Sequence, residues 1–170
     1  MSLVKTELKA RDVMTADPVC VSPSVRIREL ARVFEAHEIS GAPVTDQEGK
    51  VIGVVSKTDL IRRCSEGTDD IPPAYLFEVL SEQGVDEDES SEVMPEPLVC
   101  VQDFMTEDPL MVGPELSAAA VARLMFEKRV HRVIVADDEK FPLGIITSMD
   151  LLGAFPQAQQ ASCCASPHGP

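Results

Sequence analysis

The chain has 170 residues, 44% of them apolar, enough for one domain or two small ones packed together. Its formal net charge is −14, yet twelve acids and no Lys or Arg lie between Ser65 and Asp103, leaving the remainder close to neutral. With no basic stripe and few aromatics, nucleic acid is not an expected partner. No apolar run reaches the roughly 20 residues that span a bilayer, so no membrane segment is expected.

The first residues, MSLVKTELKARDVM, lack the apolar core of a secretory signal. Five cysteines show no zinc-type spacing, and their odd number fits no closed disulfide set. Reduced thiols and a cytoplasmic location are the expectation.

An offset of 91 residues aligns Asp12–Leu60 with Asp103–Leu151 without a gap. DVMTADPVCVSP matches DFMTEDPLMVGP, and GVVSKTD (Gly53–Asp59) matches GIITSMD (Gly144–Asp150). Two copies are too few for a solenoid and suggest two half-domains packed face to face. In chain order, a short strand is expected at Val19–Val21 and at Leu110–Val112. A helix then follows from Val25 to Glu38 with Ile27, Leu30, Ala31 and Phe34 on one face. Its counterpart carries Leu116, Ala119, Ala120 and Leu124.

Strands are expected at Ala42–Thr45 and Val133–Ala136, a turn at DQEGK or DDEKF, and strands at Val51–Val55 and Leu143–Ile146. A second helix follows in each copy (Thr58–Arg63 and Met149–Phe155). The fold class is therefore α/β, two β-α-β-β-α repeats. The expected divisions are repeat 1 at 1–64, an acidic linker at 65–101, repeat 2 at 102–155 and a disordered tail at 156–170. Within the linker, Tyr75–Leu80 reads as a short helix and residues 82–95 as a mobile, solvated run.

The chemistry concentrates in the repeated seven residues. Val54-Val55 and Ile145-Ile146 favour an extended strand. Ser56 and Thr147 then stand where a hydroxyl caps a helix, with Asp59 and Asp150 three residues on, as in a capping box. Such a junction presents backbone N–H groups and the positive end of a helix dipole, a site suited to phosphate. The carboxylate is an acceptor suited to ribose hydroxyls. The plainer reading is a cap alone, and for a single copy that reading leads; two copies in matching context favour a ligand.

MTADP, ISGAPV and GVVSKTD in the first copy, with MTEDP, VHRVIV and GIITSMD in the second, resemble a tandem pair of cystathionine-β-synthase-type (CBS) domains, a Bateman module. The resemblance implies two repeats packed through their sheets with helices outside and two clefts between them. It also implies binding of an adenosyl compound (AMP, ADP, ATP, NAD or S-adenosylmethionine) and regulation of a partner protein. It places Ser56 and Asp59 in one cleft and Thr147 and Asp150 in the other. Thr15 and Thr106 would lie beside the adenine, and Cys20 and Met111 would supply backbone or apolar contacts. Ile39 and Ala42, matched by Val130 and Val133, would wall the base, with plain core as the alternative. His131 and Arg132 resemble the family's phosphate-contacting pair, beside the second repeat's cleft; Ser40 and Gly41 occupy the matching positions. Lys57 is a weaker phosphate candidate.

Three functions compete: a stand-alone adenine-nucleotide sensor, a ligand-free dimerisation scaffold, and a small enzyme. No nucleophile–base pair is suggested among His37, His131 and His168, and neither repeat adds a metal-ligand cluster. An enzyme is not expected. A carboxylate in both motifs favours the sensor, since a cap alone does not require it. A homodimer through the second helices is expected, because Leu60, Ile61, Leu151, Leu152 and Phe155 are too many apolar residues for so small a module to bury.

Overall fold

The computed structural model describes residues 8–65 and 98–154. The expected helix at Tyr75–Leu80, the run 82–95, Phe155 and the tail lie outside them. Residues 8–65 contain helix α1 (Ala10–Val13), strand β1 (Thr15–Ala16), helix α2 (Ile27–Ala36), strands β2 (Gly41–Thr45) and β3 (Val51–Ser56), and helix α3 (Lys57–Ser65). After a 3-10 turn at Val101–Asp103 come β4 (Thr106–Glu107), β5 (Met111–Val112), α4 (Ala118–Lys128), β6 (Arg132–Ala136), β7 (Pro142–Thr147) and α5 (Ser148–Ala154). The repeated β-α-β-β-α order is present. Among the described residues no helix is long and apolar enough to cross a membrane.

Each repeat has its own core, because each strand of the hairpin alternates or buries its β-branched residues. Val51, Gly53 and Val55 of β3 point inward, with Ile52, Val54 and Ser56 less covered. The first core holds Ile27, Leu30, Phe34, Val44, Val55 and Leu60; the second holds Val121, Met125, Val133, Val135, Ile146 and Leu151.

Helix α2 buries Ile27, Leu30 and Phe34, as its spacing predicts. Helix α4 does not bury the expected face. Its core residues are Ala118, Val121 and Met125, whereas Leu116 and Ala119 are exposed and Ala120 and Leu124 are half-buried. The true face is the 91-residue image of Ile27, Leu30 and Phe34. It was masked because the run Ala118–Ala120 has too little contrast in side-chain size for its period to show. The expected strand Val19–Val21 reduces to a single parallel bridge between Val21 and Val44. Pro18 and Pro23 flank it and lack the N–H that would extend a ladder.

The leading segments of the repeats are exchanged. β1 pairs antiparallel with β7, giving a four-stranded sheet β1-β7-β6-β5; β4 pairs with β3, giving a three-stranded sheet β2-β3-β4. The backbone bonds are images of each other: Ala10 N donates to Leu116 O at 2.7 Å, and Val101 N to Val25 O at 2.9 Å. Ala10 is buried in the second core, while Val99 and Val101, from the end of the stretch read as linker, are buried in the first. The motif glycines make this possible. A Cβ at Gly53 would stand 2.7 Å from Met105 Sδ, and one at Gly144 2.5 Å from Met14 Sδ and 2.9 Å from Thr15 O.

Glu115 clamps the exchanged N-terminal segment, bonded to both Lys9 and Arg11. The hydrogen bond from Lys9 holds its carboxyl below the usual carboxylate range. A lowered folded value means the clamp is in force above the unfolded carboxylate pKa and is lost as pH falls through the folded one. Protection of the Ala10 and Ala118 amides should therefore drop on acidification in the native chain and become insensitive to that range in Glu115→Gln, read by hydrogen exchange.

Because the exchange ties the cores together, unfolding should be one transition. Phe34→Ala should cost about 3–5 kcal/mol and Met125→Ala about 2–5 kcal/mol, both moving the same denaturation midpoint. Two separable transitions in urea would contradict the coupling.

Candidate functional site

The repeated motif forms the same device twice. The Asp59 Oδ2 atom accepts from Ser56 N at 2.9 Å and from Ser56 Oγ at 2.6 Å, while Asp59 N donates to Ser56 Oγ at 3.3 Å. In the second repeat Asp150 Oδ2 accepts from Thr147 N at 2.7 Å and Thr147 Oγ1 at 2.6 Å, and Asp150 N donates to Thr147 Oγ1 at 3.3 Å. Each is a reciprocal capping box at the strand-to-helix junction. The second carboxylate oxygens differ. Asp59 Oδ1 takes a bond from Arg62 Nη2 at 3.0 Å. Gly153 stands at the matching position, and among the described residues Asp150 Oδ1 has no partner.

A pocket of about 790 Å³ opens where the repeats meet. Ser56 and Asp59 line it from the first repeat; Thr106, Met111, His131 and Arg132 line it from the second. Its volume lies within the range of small-molecule sites. Arg132 is half-buried. Desolvation pulls its guanidinium down from the usual range, and the Asp59 carboxylate opposes that shift. Arginine stays charged through such shifts, so the pocket holds a cation beside a helix N-terminus and a carboxylate. That combination suits a molecule with an anionic group and vicinal hydroxyls.

The CBS domain model matches residues 10–66 and 101–157. The chain belongs to the CBS-domain family. An uncharacterised protein of Methanocaldococcus jannaschii is 29% identical over 151 residues, covering 85% of this chain and 89% of that protein. Inosine-5'-monophosphate dehydrogenase of the same organism is 29% identical over 157 residues, covering 91% of this chain but only 25% of the dehydrogenase. Among solved structures, CBSX2 in complex with AMP, an Arabidopsis thaliana CBS-pair protein, aligns with a TM-score of 0.63 at 24% identity, over 86% of this chain and 95% of that one. The CBS domain pair of the protein MJ0100, in complex with 5'-methylthioadenosine and S-adenosyl-L-methionine, aligns with a TM-score of 0.65 at 19% identity, over 85% and 97%. These likenesses establish the CBS-pair fold.

In this CBS pair, seven of the expected residues share the pocket: Ser56, Asp59, Thr106, Met111, Val130, His131 and Arg132. The basic pair therefore meets the first repeat's motif, a correction to its expected place beside the second. From the same side of the pocket β4 contributes Thr106, which pairs with Val54 of β3. Thr147 and Asp150 cap α5 elsewhere, with Thr15 on the strand that pairs with β7 at Ile145. Cys20 is exposed, its Sγ 3.3 Å from Pro18 O. Ile39 packs half-buried on the first core, and Lys57 is exposed, its N–H bonded to Ser40 O at 3.0 Å. Ala42 and Val133 do not wall a cleft with their side chains: both are buried in the cores, at 0% and 1% exposure. They are the inward-pointing members of their strands.

Lys128, Asp108 and Ile134 also line the pocket and were not singled out from the sequence. Lys128 had a signal: Lys128, Arg129, His131 and Arg132 form a dense basic run. Asp108 had none, since its place depends on a left-handed backbone (φ 49°) shared with its image Asp17 (φ 50°).

Ser56→Ala and Thr147→Ala should each lower stability by about 1 kcal/mol through loss of the cap. Chemical denaturation checks this, and a cost near zero at either site would show that the hydroxyl serves something other than the helix.

Proposed function

We propose that this CBS pair is a regulatory module that binds an adenosyl nucleotide in clefts between its repeats and passes the occupancy to a partner protein. AMP, ADP and ATP are the favoured ligands, with NAD and S-adenosylmethionine in the same class. The observation that carries this is the meeting, in one pocket, of Asp59, the N-terminus of α3 and the Lys128, His131, Arg132 group. Asp59 is assigned the ribose hydroxyls. Arg132, with the α3 N-terminus, is assigned the phosphate, and Met111, Val130 and Ile134 the flat apolar base. The AMP held by CBSX2 and the adenosyl ligands held by MJ0100 support the ligand class. The free thiols of Cys20, Cys64 and Cys100 suit a reducing cytoplasm.

The test is a thermal-shift panel of AMP, ADP, ATP, NAD and S-adenosylmethionine, followed by calorimetry. A ligand at 100 times its dissociation constant should add about 2.7 kcal/mol to stability. Arg132→Ala should weaken AMP about ten-fold or more, the equivalent of one charge-assisted bond, and leave adenosine nearly unchanged. Asp59→Ala should weaken both. Equal losses for AMP and adenosine in Arg132→Ala would remove the phosphate assignment.

The ligand-free scaffold is a second reading, favoured by the completeness of both caps: each motif aspartate spends one oxygen on the residue that caps its helix, and Asp59 spends the other on Arg62. No shift with any member of the panel would decide for it.

In either case we propose a homodimer through the second helices. On the second repeat Phe126, Met149 and Leu152 are 70%, 73% and 69% exposed, flanking an apolar groove between α4 and α5. Their counterparts on the first repeat are Glu35, Thr58 and Ile61, so the second repeat should dominate the contact. Sedimentation should show a dimer at micromolar concentration that Leu152→Asp dissociates; a monomeric native chain would refute it.

A further inference from the structure

Gly41 and Arg132 are the same position of the two repeats, 91 residues apart, and the fold brings them against each other. A Cβ at Gly41 would fall within the Arg132 guanidinium, so the side chain missing from one repeat is the seat of the arginine of the other. Arg132 Nη2 also stands 3.4 Å from Ser40 Oγ, and Ser40 is the counterpart of His131. Arg132 thus lies on the boundary between the repeats. To one side it lines the pocket with Ser56 and Asp59. To the other it rests on the entry to β2, and its cross-strand neighbour is Thr147, the cap of α5. Where the first cleft has Lys128, His131 and Arg132, the matching positions for the second are His37, Ser40 and Gly41. At those positions the second cleft lacks a permanent cation.

We propose that Arg132 is shared by the two clefts, so that a phosphate held in one draws the guanidinium from the other and anionic adenosyl ligands bind with negative coupling. This rests on the nucleotide reading above. One planar fork of donors serves one phosphate at a time. Whichever cleft fills first takes it, and the second ligand binds without it. Linkage makes the effect reciprocal. A neutral nucleoside has no phosphate to compete for the arginine, so it should fill the clefts without this penalty.

Calorimetric titration of the full chain with AMP and with adenosine tests this. For AMP the second step should be about ten-fold or more weaker than the first, the worth of one charge-assisted bond. For adenosine that gap should be absent. Arg132→Ala should bring the two AMP steps together by weakening the tighter one. Asp59→Ala removes the ribose acceptor of the first cleft and the carboxylate facing Arg132. It should strengthen AMP binding at the second cleft about ten-fold over the native second step. Two equal AMP steps in the native chain, or a gap that persists in Arg132→Ala, would overturn the sharing while leaving the nucleotide reading intact. Binding of a single AMP counts in favour if Asp59→Ala moves it to the second cleft, checked by its loss in Asp59→Ala combined with Asp150→Ala, and against otherwise. Failure of both AMP and adenosine to bind removes the nucleotide reading and the sharing with it.

Discussion

Thr15–Ala16 and Thr106–Glu107 complete sheets that belong to the opposite repeat, and both the packing and the site follow from that pairing. The pairing needs close backbone approach, which is why glycine opens both seven-residue motifs: any side chain at Gly53 or Gly144 meets the methionine and threonine of the incoming segment. With β4 on β3, Thr106 pairs with Val54, and the pocket draws its lining from both halves of the chain. A site made this way exists only while the two repeats are docked. Its occupancy therefore reports on, and biases, how they sit together, which is what a regulatory domain requires.

The two capping motifs share a plan but not an electrostatic environment. Arg62 bonds the outer oxygen of Asp59, where Gly153 leaves that of Asp150 without a described partner. Arg132, at the position of Gly41, supplies charge that the first repeat lacks. A chain with a net charge of −14 has no favourable long-range field for an anion. Local positive charge then rests on a few cations held close to helix N-termini, and their unequal placement makes the repeats chemically distinct despite their common backbone.

Much of this was readable from residues. The strands and capping boxes followed from β-branched pairs ending in a hydroxyl and a carboxylate, and the repeat itself from a gapless alignment. The inward face of α2 was legible because Ile27, Leu30 and Phe34 contrast with charged neighbours; that of α4 was not, because Ala118, Ala119 and Ala120 look alike to any periodicity argument. The exchange of segments was invisible for a different reason. Two residues of strand carry almost no pattern, and pairing between residues as distant as Val54 and Thr106 or Thr15 and Ile145 is a tertiary fact that local propensity does not encode. Arg132 was legible as a cation of interest, but which aspartate it faces is set by how the repeats pack, which no local pattern records. For the side chains of Ala42 and Val133 the alternative of plain core holds; a strand of continuous apolar residues does not disclose which side faces the core.

The reciprocal edges also bear on how such a protein tolerates being cut. Neither half carries its own terminal strand, so a fragment ending at residue 65 would expose the open edge of β3 and one starting at residue 98 that of β7. Unpaired edges of this kind seek a complement. A nick in the intervening chain would therefore leave two pieces clasped by each other's strands, a split protein that holds its shape without a covalent link. The same clasp, opened and closed between two molecules, would give a swapped pair with every native contact preserved.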